Sequence, residues 1–387
     1  MASPIGIGII GMGWMGMVHG RAYHQVRQRF PECGLVPELV VCADDVAARC
    51  EQARDMLGFT RTTTDWREVM EDPDVSVVNI AAPNHLHLDM VRAAAAAGKH
   101  IFCEKPVGRS PEETAQITRA AAEAGILTWV GYNYRWAPLV QHTRSLVVDG
   151  VLGDLTHYRG RFFAGYASHP DGVLSWRFRR ADAGSGALGD LMSHVVDMAH
   201  MLAGPIRRVV GQKALIIEDR PVAPAGEGTH FSVGTGGQRE PVTNEDYAGA
   251  LVEFGNGARG SFEVDRVIQG TKCQMAFEIH GTTGAVRWDF ERMNELQLYT
   301  VDSPHEGFVT LQSGPAYPGH VHFNPGPAVG LGYDDLKAIE TFNFLQSIAA
   351  GRQGEPGFNE ARAVAGVLSA IERSWSSDRW ETVQEIG

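Results

Sequence analysis

The stretch IGIIGMGWMGMVHG sets Gly11-x-Gly13-x-x-Gly16 directly after a β-branched run and at the head of a helical pattern. Few folds use that combination. Gly11 permits a tight turn, Gly13 lets the backbone approach a diphosphate, and Gly16 lets the helix pack on the strand while its first amides face the anion. Without the strand before it and the helix after it, the same spacing would be only a glycine-rich turn. In this context it reads as the dinucleotide-binding turn of a Rossmann unit, with Trp14 and Met15 part of the same site.

From Ile5 to about Val130, short apolar runs alternate with helical stretches, the pattern of a doubly wound parallel sheet. Strands are expected at Ile5–Ile10, Leu39–Cys42, Val75–Ile80, His100–Cys103 and Leu127–Val130, with an alanine-rich helix stopped by Gly98 before the fourth. The second strand ends in VVCADD. Asp44 is the residue chosen to accept from the adenosine ribose hydroxyls, and a carboxylate there repels a 2′-phosphate, favouring NAD. Arg49 leaves NADP open, since a guanidinium nearby could bind that phosphate. Asp44 lies 28 positions beyond Gly16 rather than the usual ~20, which is assigned to an extra loop, RFPECGLVPE.

After Tyr132 the pattern changes. A helix near Pro138–Asp149 precedes alternating segments, LTHYRGRFFAGY, YAGALVEF, ARGSFEVDRVI, MAFEIHG and AVRWDF, which read as an antiparallel sheet. Gly255-Asn256-Gly257 and Gly281-Thr-Thr-Gly284 fall between strands, where tight turns call for positive φ. Two long Gly/Pro-rich stretches, Asp219–Asn244 and Ser303–Gly332, are expected to be loops over a pocket or at an oligomer contact. Helical patterns near Asp335–Ala350 and Asn359–Trp375 close the chain. The division expected is a Rossmann domain over 1–131 and a substrate and oligomerisation domain over 132–387, the C-terminal helix being free to pack back on the first.

Charge removes other classes. A formal net charge of -12 opposes nucleic-acid binding, which needs clustered Lys and Arg. Apolar runs are broken within about 10 residues, well short of the ~20 that span a bilayer. MASPIGIGIIGMG has no basic region ahead of its apolar run, so the run is read as a strand and not a secretory leader. Five cysteines, with no C-x-x-C pair, offer neither a disulfide framework nor a zinc site. A cytoplasmic protein with reduced thiols is expected.

Candidate chemistry collects at the carboxyl edge of the first sheet and on one later helix. AAPNHLH supplies Ala82, Pro83, Asn84 and His87 as a wall of the nicotinamide pocket. His85-x-His87 lacks companion carboxylates or thiols, so no metal is assigned. FCEKPVG brings Glu104 and Lys105 to the same edge, where an ammonium would stabilise a developing alkoxide. In GSGALGDLMSHVVDMAHML, Leu188, Leu191, Val195, Met198 and Leu202 form an apolar stripe, while Asp190 and His194 fall on a neighbouring face at helical spacing. Alcohol oxidation needs a base with a pKa near neutrality, and imidazole suits it.

GMGWMG, AAPNHLH, EKP and GALGDLMSHVVD, in that order and at suitable separations, resemble the Gfo/Idh/MocA oxidoreductases, the group of glucose-fructose oxidoreductase and inositol dehydrogenase. LSWRFRRADAGSGALGD, FEIHGTTGAVRWDFERMNELQ and the late GYDD segment resemble its members acting on levoglucosan, pyranosides and inositols. The resemblance implies an α/β Rossmann domain and an α+β domain with an open-faced, mainly antiparallel sheet, buried in a homodimer or homotetramer. It implies Lys105, Asp190 and His194 as the catalytic set, with His194 the base. Tyr134, Arg135, Trp136, Tyr166, Trp176, Arg177 and Tyr333 would add to a polyol or sugar pocket, aromatic faces meeting C–H surfaces and guanidinium groups meeting hydroxyls. Oxidation of a secondary hydroxyl to a ketone is the activity implied. The alternatives are redox-assisted lysis or hydrolysis of a glycoside and a nonenzymatic dinucleotide-binding regulator.

Overall fold

The computed structural model describes residues 3–222, 231–234 and 236–386. The chain divides into two units, one running up to Trp136 and regained at Leu331–Arg362, the other formed by Ala137–Gly330 and Ala363–Ile386.

In the first unit, β1 (Ser3–Ile10), β2 (Leu35–Ala43), β3 (Arg61–Thr63), β4 (Val77–Ile80), β5 (His100–Cys103) and β6 (Thr128–Val130) form a parallel sheet of order 3-2-1-4-5-6. This is the Rossmann order, in which the reversal beside β1 opens a crevice at the carboxyl ends of the strands. Ile7, Ile9, Val77, Val78, Ile80, Ile101 and Phe102 are wholly buried, as expected when helices cover both faces and a strand reads as a continuous apolar run. The helices of this first stretch are α1 (Trp14–Arg29), α2 (Ala47–Leu57), α3 (Trp66–Glu71), α4 (His87–Ala96) and α5 (Pro111–Glu123). Ser110 caps α5 by accepting from the Glu113 N–H, with Pro111 in its first turn.

The loop expected over RFPECGLVPE is shorter, residues 30–34. Helix α1 runs to Arg29 and β2 begins at Leu35, so LVPE of the expected loop is strand. Beyond residue 131 the first unit continues to Trp136, whose ring stacks on Trp129 at 5.8 Å. Helix Tyr333–Ala349 belongs to this unit for a packing reason. Phe342 stacks on Phe30 at 4.4 Å, and Phe344 meets Phe102 and Trp129 at 5.6 and 5.8 Å.

In the second unit a mixed sheet is built from β7 (Leu155–Phe163), β8 (Ile206–Ala214), β11 (Tyr247–Phe254), β12 (Arg259–Asp265), β13 (Gln274–Gly281), β14 (Gly284–Asp289), β15 (Glu295–Thr300), β16 (Val309–Gln312) and β17 (Glu381–Thr382), in order 16-15-14-13-7-12-11-8-17. All its pairings are antiparallel except β7 with β12. Alternation along β12 sends Phe262 and Val264 inward and Ser261 and Glu263 outward. Helix Ser193–Ala203 covers the apolar face so closely that a Cβ on Gly160 would stand 2.6 Å from Val195. Within this unit the other face stays open, a shallow cavity of about 450 Å³ lined by Arg159, Arg161, Gln212, Tyr247, Leu251 and Glu263.

Three local expectations need correction. Gly257 has φ +90°, but Gly281 and Gly284 do not take positive φ; Gly281 is required because a Cβ there would lie 2.0 Å from the Leu152 carbonyl oxygen. The two long stretches are not bare loops. Asp219–Asn244 contains the paired strands β9 (Asp219–Pro221) and β10 (Arg239–Pro241), its residues 223–230 and 235 lying outside the described residues. Ser303–Gly332 supplies the edge strand β16 and then folds about a bond of 2.9 Å between Ser313 and the His320 imidazole. The helix bearing Asp190 opens with a π-helical segment, Leu188–Met192, before the α-helix begins at Ser193. That wider turn shifts the phase between Asp190 and His194 from regular helical spacing.

Candidate active site

The glycine turn fits a dinucleotide at each of its three positions. Gly11, at φ +90°, presses on the turn after β4, where a Cβ would meet Ala81 at 2.7 Å. A Cβ on Gly16 would lie 2.0 Å from the Gly11 carbonyl oxygen, so strand and helix can approach only without one. At Gly13 nothing lies within 4 Å, leaving room beside the start of α1, whose first turn has no side-chain cap. Open space over uncapped amides is what a diphosphate requires.

Asp44 stands at the end of β2 with a further duty. Its Oδ2 accepts the Met12 N–H at 2.7 Å, its Oδ1 accepts the Val46 N–H at 3.0 Å, and Arg49 reaches Oδ1 at 3.3 Å. Burial pushes its carboxyl up from the ordinary range, against the pull of these N–H groups and of Arg49. Oδ2 keeps a lone pair for a ribose hydroxyl. Thus Asp44 braces the glycine turn from the end of β2, and Arg49 is engaged with it.

Around this turn the first unit gathers several expected residues. Trp14, half exposed, stacks on Tyr333 at 5.3 Å; the Tyr333 O–H reaches the Met15 sulfur at 3.6 Å, and Tyr134 stands edge-on to Tyr333 at 6.4 Å. Asn84 and Arg135 are buried, and Trp136 is spent on Trp129. Lys105 is partly exposed, and its bond to Pro106 is cis. His87 departs from expectation. It is wholly buried, Nε2 lying 2.9 Å from the Ala82 oxygen and Nδ1 3.1 Å from the oxygens of Pro106 and Val107. The ring clamps together the turns after β4 and β5 rather than facing a cofactor.

Glu104 also points inward. Its Oε1 accepts from His19 Nε2 and from Lys337 Nζ, both at 2.8 Å, and Lys337 also contacts Glu340 at 3.0 Å. Burial works to raise the Glu104 carboxyl, but Lys337 and the His19 bond overcome it and hold the group well below the carboxylate range. His19, Lys337 and Glu340 escaped sequence reading because Lys337 and Glu340, at i and i+3, look like a solvated helical pair.

In the second unit, side chains from separate segments meet at Asp190. Tyr166 donates its O–H to Oδ2 at 2.8 Å, Arg177 lies 3.8 Å from Oδ1, and the Arg177 guanidinium covers the Trp176 ring at 4.4 Å. Burial, then the Asp190 charge, pushes the Tyr166 phenol up, so it stays a donor. His194 is buried, its ring 5.8 Å from that of Phe162. A missed trio before β11 supports this cluster. Glu245 caps the π-turn by accepting the Leu188 N–H at 3.0 Å. Asp246 and Asn244 grip the buried Arg266 at 2.8 and 2.9 Å, and Arg266 reaches the Arg177 carbonyl at 3.3 Å. Among the described residues no group of three His, Cys, Asp or Glu side chains is placed to hold a metal ion.

A family model described as an oxidoreductase family with an NAD-binding Rossmann fold matches residues 5–132, and one for the GFO/IDH/MocA C-terminal domain matches 140–287. Levoglucosan dehydrogenase of Pseudarthrobacter phenanthrenivorans is 37% identical over 385 residues, 99% of each chain. Inositol 2-dehydrogenase of Rhizobium meliloti is 24% identical over 377 residues, 96% of this chain and 97% of that one. The solved structure of levoglucosan dehydrogenase with NADH and levoglucosan superposes with a TM-score of 0.92 at 36% identity, covering 98% of this chain and 99% of that one.

Proposed function

The chain belongs to the Gfo/Idh/MocA family of oxidoreductases with an NAD-binding Rossmann fold, and from that premise we propose that it oxidises a secondary hydroxyl of a sugar, anhydrosugar, glycoside or inositol to a ketone. The observation that carries the substrate class is the Asp190 cluster: a carboxylate that accepts a phenol O–H at 2.8 Å and lies 3.8 Å from a guanidinium, which itself covers an indole face. Such a set suits a polyol, whose hydroxyls need donors and acceptors while its ring presents C–H surface.

His194 takes the hydroxyl proton, Lys105 steadies the oxygen as charge grows on it, and Asp190 orients the substrate or tunes the base. Bound NAD supplies the hydride acceptor. Trp176 offers apolar surface to the ring, while Trp136, stacked on Trp129, is committed elsewhere. The polar open sheet face, with exposed Leu251 among Arg159, Arg161 and Glu263, supports a homodimer or homotetramer. Cys33, Cys42, Cys50 and Cys103, buried as thiols, fit a cytoplasmic enzyme.

The test is a panel of levoglucosan, inositols, monosaccharides and glycosides with NAD, followed by absorbance of the reduced cofactor. Net NADH with at least one polyol is expected, and His194→Ala should lose at least about 100-fold in turnover with NAD affinity intact. Aglycone release without net NADH means glycoside lysis or hydrolysis, and NAD binding with no turnover at all means a regulator. Wild-type turnover in the His194 variant removes the assignment of the base.

A further inference from the structure

We propose that Lys337 is a positioning residue for the Glu104–Lys105 segment, acting through a buried ion pair inside the first unit. The inference rests on the reading that Lys105 works at the reacting oxygen. Helix Tyr333–Ala349 lies some 230 positions later in the chain, and Lys337 projects from it into the interior with no exposed surface. Its ammonium is divided between Glu104 Oε1 at 2.8 Å and Glu340 Oε2 at 3.0 Å, and it lies 5.7 Å from the Phe102 ring centre. Phe344, packed on Phe102 and Trp129, closes the apolar surround.

Everything around the Glu104 carboxylate fixes its direction. His19 on α1 bonds the same oxygen as Lys337 at 2.8 Å, and the Lys105 N–H stands 3.4 Å from Oε2. Gly131, just past β6, has no side chain where a Cβ would fall 2.6 Å from Oε1. The backbone is held too, the Glu104 N–H bonding the Ile80 oxygen at 2.9 Å and the Gly131 N–H the Cys103 oxygen at 3.1 Å. In so apolar a surround, ionic hydrogen bonds are strong and poorly screened, so the carboxylate cannot swing. With Glu104 locked inward, the adjoining residue, Lys105, starts from a fixed backbone and emerges partly exposed.

A buried pair is weak evidence for stability, because neutral replacements of similar volume often fold as well. That separates orientation from fold maintenance. In the neutral triple variant Glu104→Gln, Lys337→Met, Glu340→Gln, the melting temperature is expected to stay within a few degrees of wild type and the NAD Kd within about threefold. Turnover on the best polyol should fall at least about tenfold, chiefly in kcat. Amide exchange read by mass spectrometry should speed up at least about fivefold in peptides covering 104–108 and stay unchanged in those covering 333–349.

Lys337→Arg is the second variant, keeping the charge but replacing a compact ammonium by a planar fork. It should retain its melting temperature and lose kcat. Wild-type kcat and wild-type exchange at 104–108 in either variant overturn the proposal, as does a loss of kcat matched by uniform deprotection of the whole first unit. Should wild-type enzyme turn over no polyol, the functional reading fails while the exchange comparison still decides the role of Lys337.

Discussion

Asp44 accepts the Met12 N–H at 2.7 Å, so the carboxylate expected to select the cofactor also holds the middle of the glycine turn. Its other oxygen is shared by the Val46 N–H and Arg49. Replacing Asp44 therefore does two things at once. Asp44→Ser should weaken NAD at least about tenfold, ~1.4 kcal/mol, because the turn loses a charge-assisted bond along with a ribose acceptor. It also releases Arg49, so the ratio of kcat/KM for NADP to that for NAD should rise while both absolute values fall. Steady-state kinetics with the two cofactors checks this, and an unchanged ratio would show that Arg49 stays out of reach of a 2′-phosphate.

Gly13 and Gly16 should respond oppositely to the same change. Gly16→Ala puts a methyl against the Gly11 carbonyl, at 2.0 Å before relaxation, and should lower stability by roughly 1–3 kcal/mol as overpacking does. Gly13→Ala meets nothing within 4 Å and should melt like wild type, yet bind NAD at least about tenfold more weakly, because the methyl occupies the diphosphate's approach. Thermal melts paired with calorimetric titration of NAD separate the two, and equal Kd values for Gly13→Ala and wild type would remove the diphosphate from this turn.

Tyr166→Phe deletes one hydroxyl and leaves Asp190 with Arg177 at 3.8 Å as its remaining named partner. A hydrogen bond to a charged group contributes about 1.5–3 kcal/mol. If that interaction orients Asp190 for substrate, kcat/KM for the polyol should fall about tenfold or more while NAD affinity stays put. Wild-type kcat/KM would mean that the phenol only fills space.

The parts of this molecule that were legible in its sequence follow periodic rules. β1 and the glycine turn were readable because local sterics dictate them, and β5 was placed at His100–Cys103 because an apolar run ending in a turn leaves little choice. Other features depend on partners distant in the chain. LVPE looked like loop, since Pro37 and Glu38 weaken a strand pattern, yet pairing with Ser3–Gly6 of β1 draws it into β2. The π-turn at Leu188–Met192 has no local signature, because it depends on Glu245 accepting the Leu188 N–H from 57 residues away. The burial of His87 has no local signature either, since it arises from the Ala82 oxygen together with two later carbonyls, Pro106 and Val107.

His19 makes a pH test of the buried network. Its Nε2 bonds Glu104 at 2.8 Å, and burial, then the Lys337 charge, hold its pKa below the usual 6.5 against the pull of Glu104. A histidine with a lowered folded pKa contributes stability that is present above the unfolded pKa and lost as pH falls through the folded one, because only the unfolded chain then gains the proton. Wild-type stability should therefore decline as pH drops below about 6.5, with His19 contributing up to ~1.4 kcal/mol per pH unit. Glu104, held well below the carboxylate range, stays ionised across that window, while Asp44, Glu245 and Asp265, pushed up by burial, act with the opposite sign. Those carboxyls are common to both proteins in a comparison of wild type with His19→Gln, which keeps a donor for Glu104 but cannot titrate. Urea unfolding at pH 7.5, 6.5 and 5.5 should give the variant the shallower slope of stability against pH, and parallel slopes would mean that His19 is already charged in the fold.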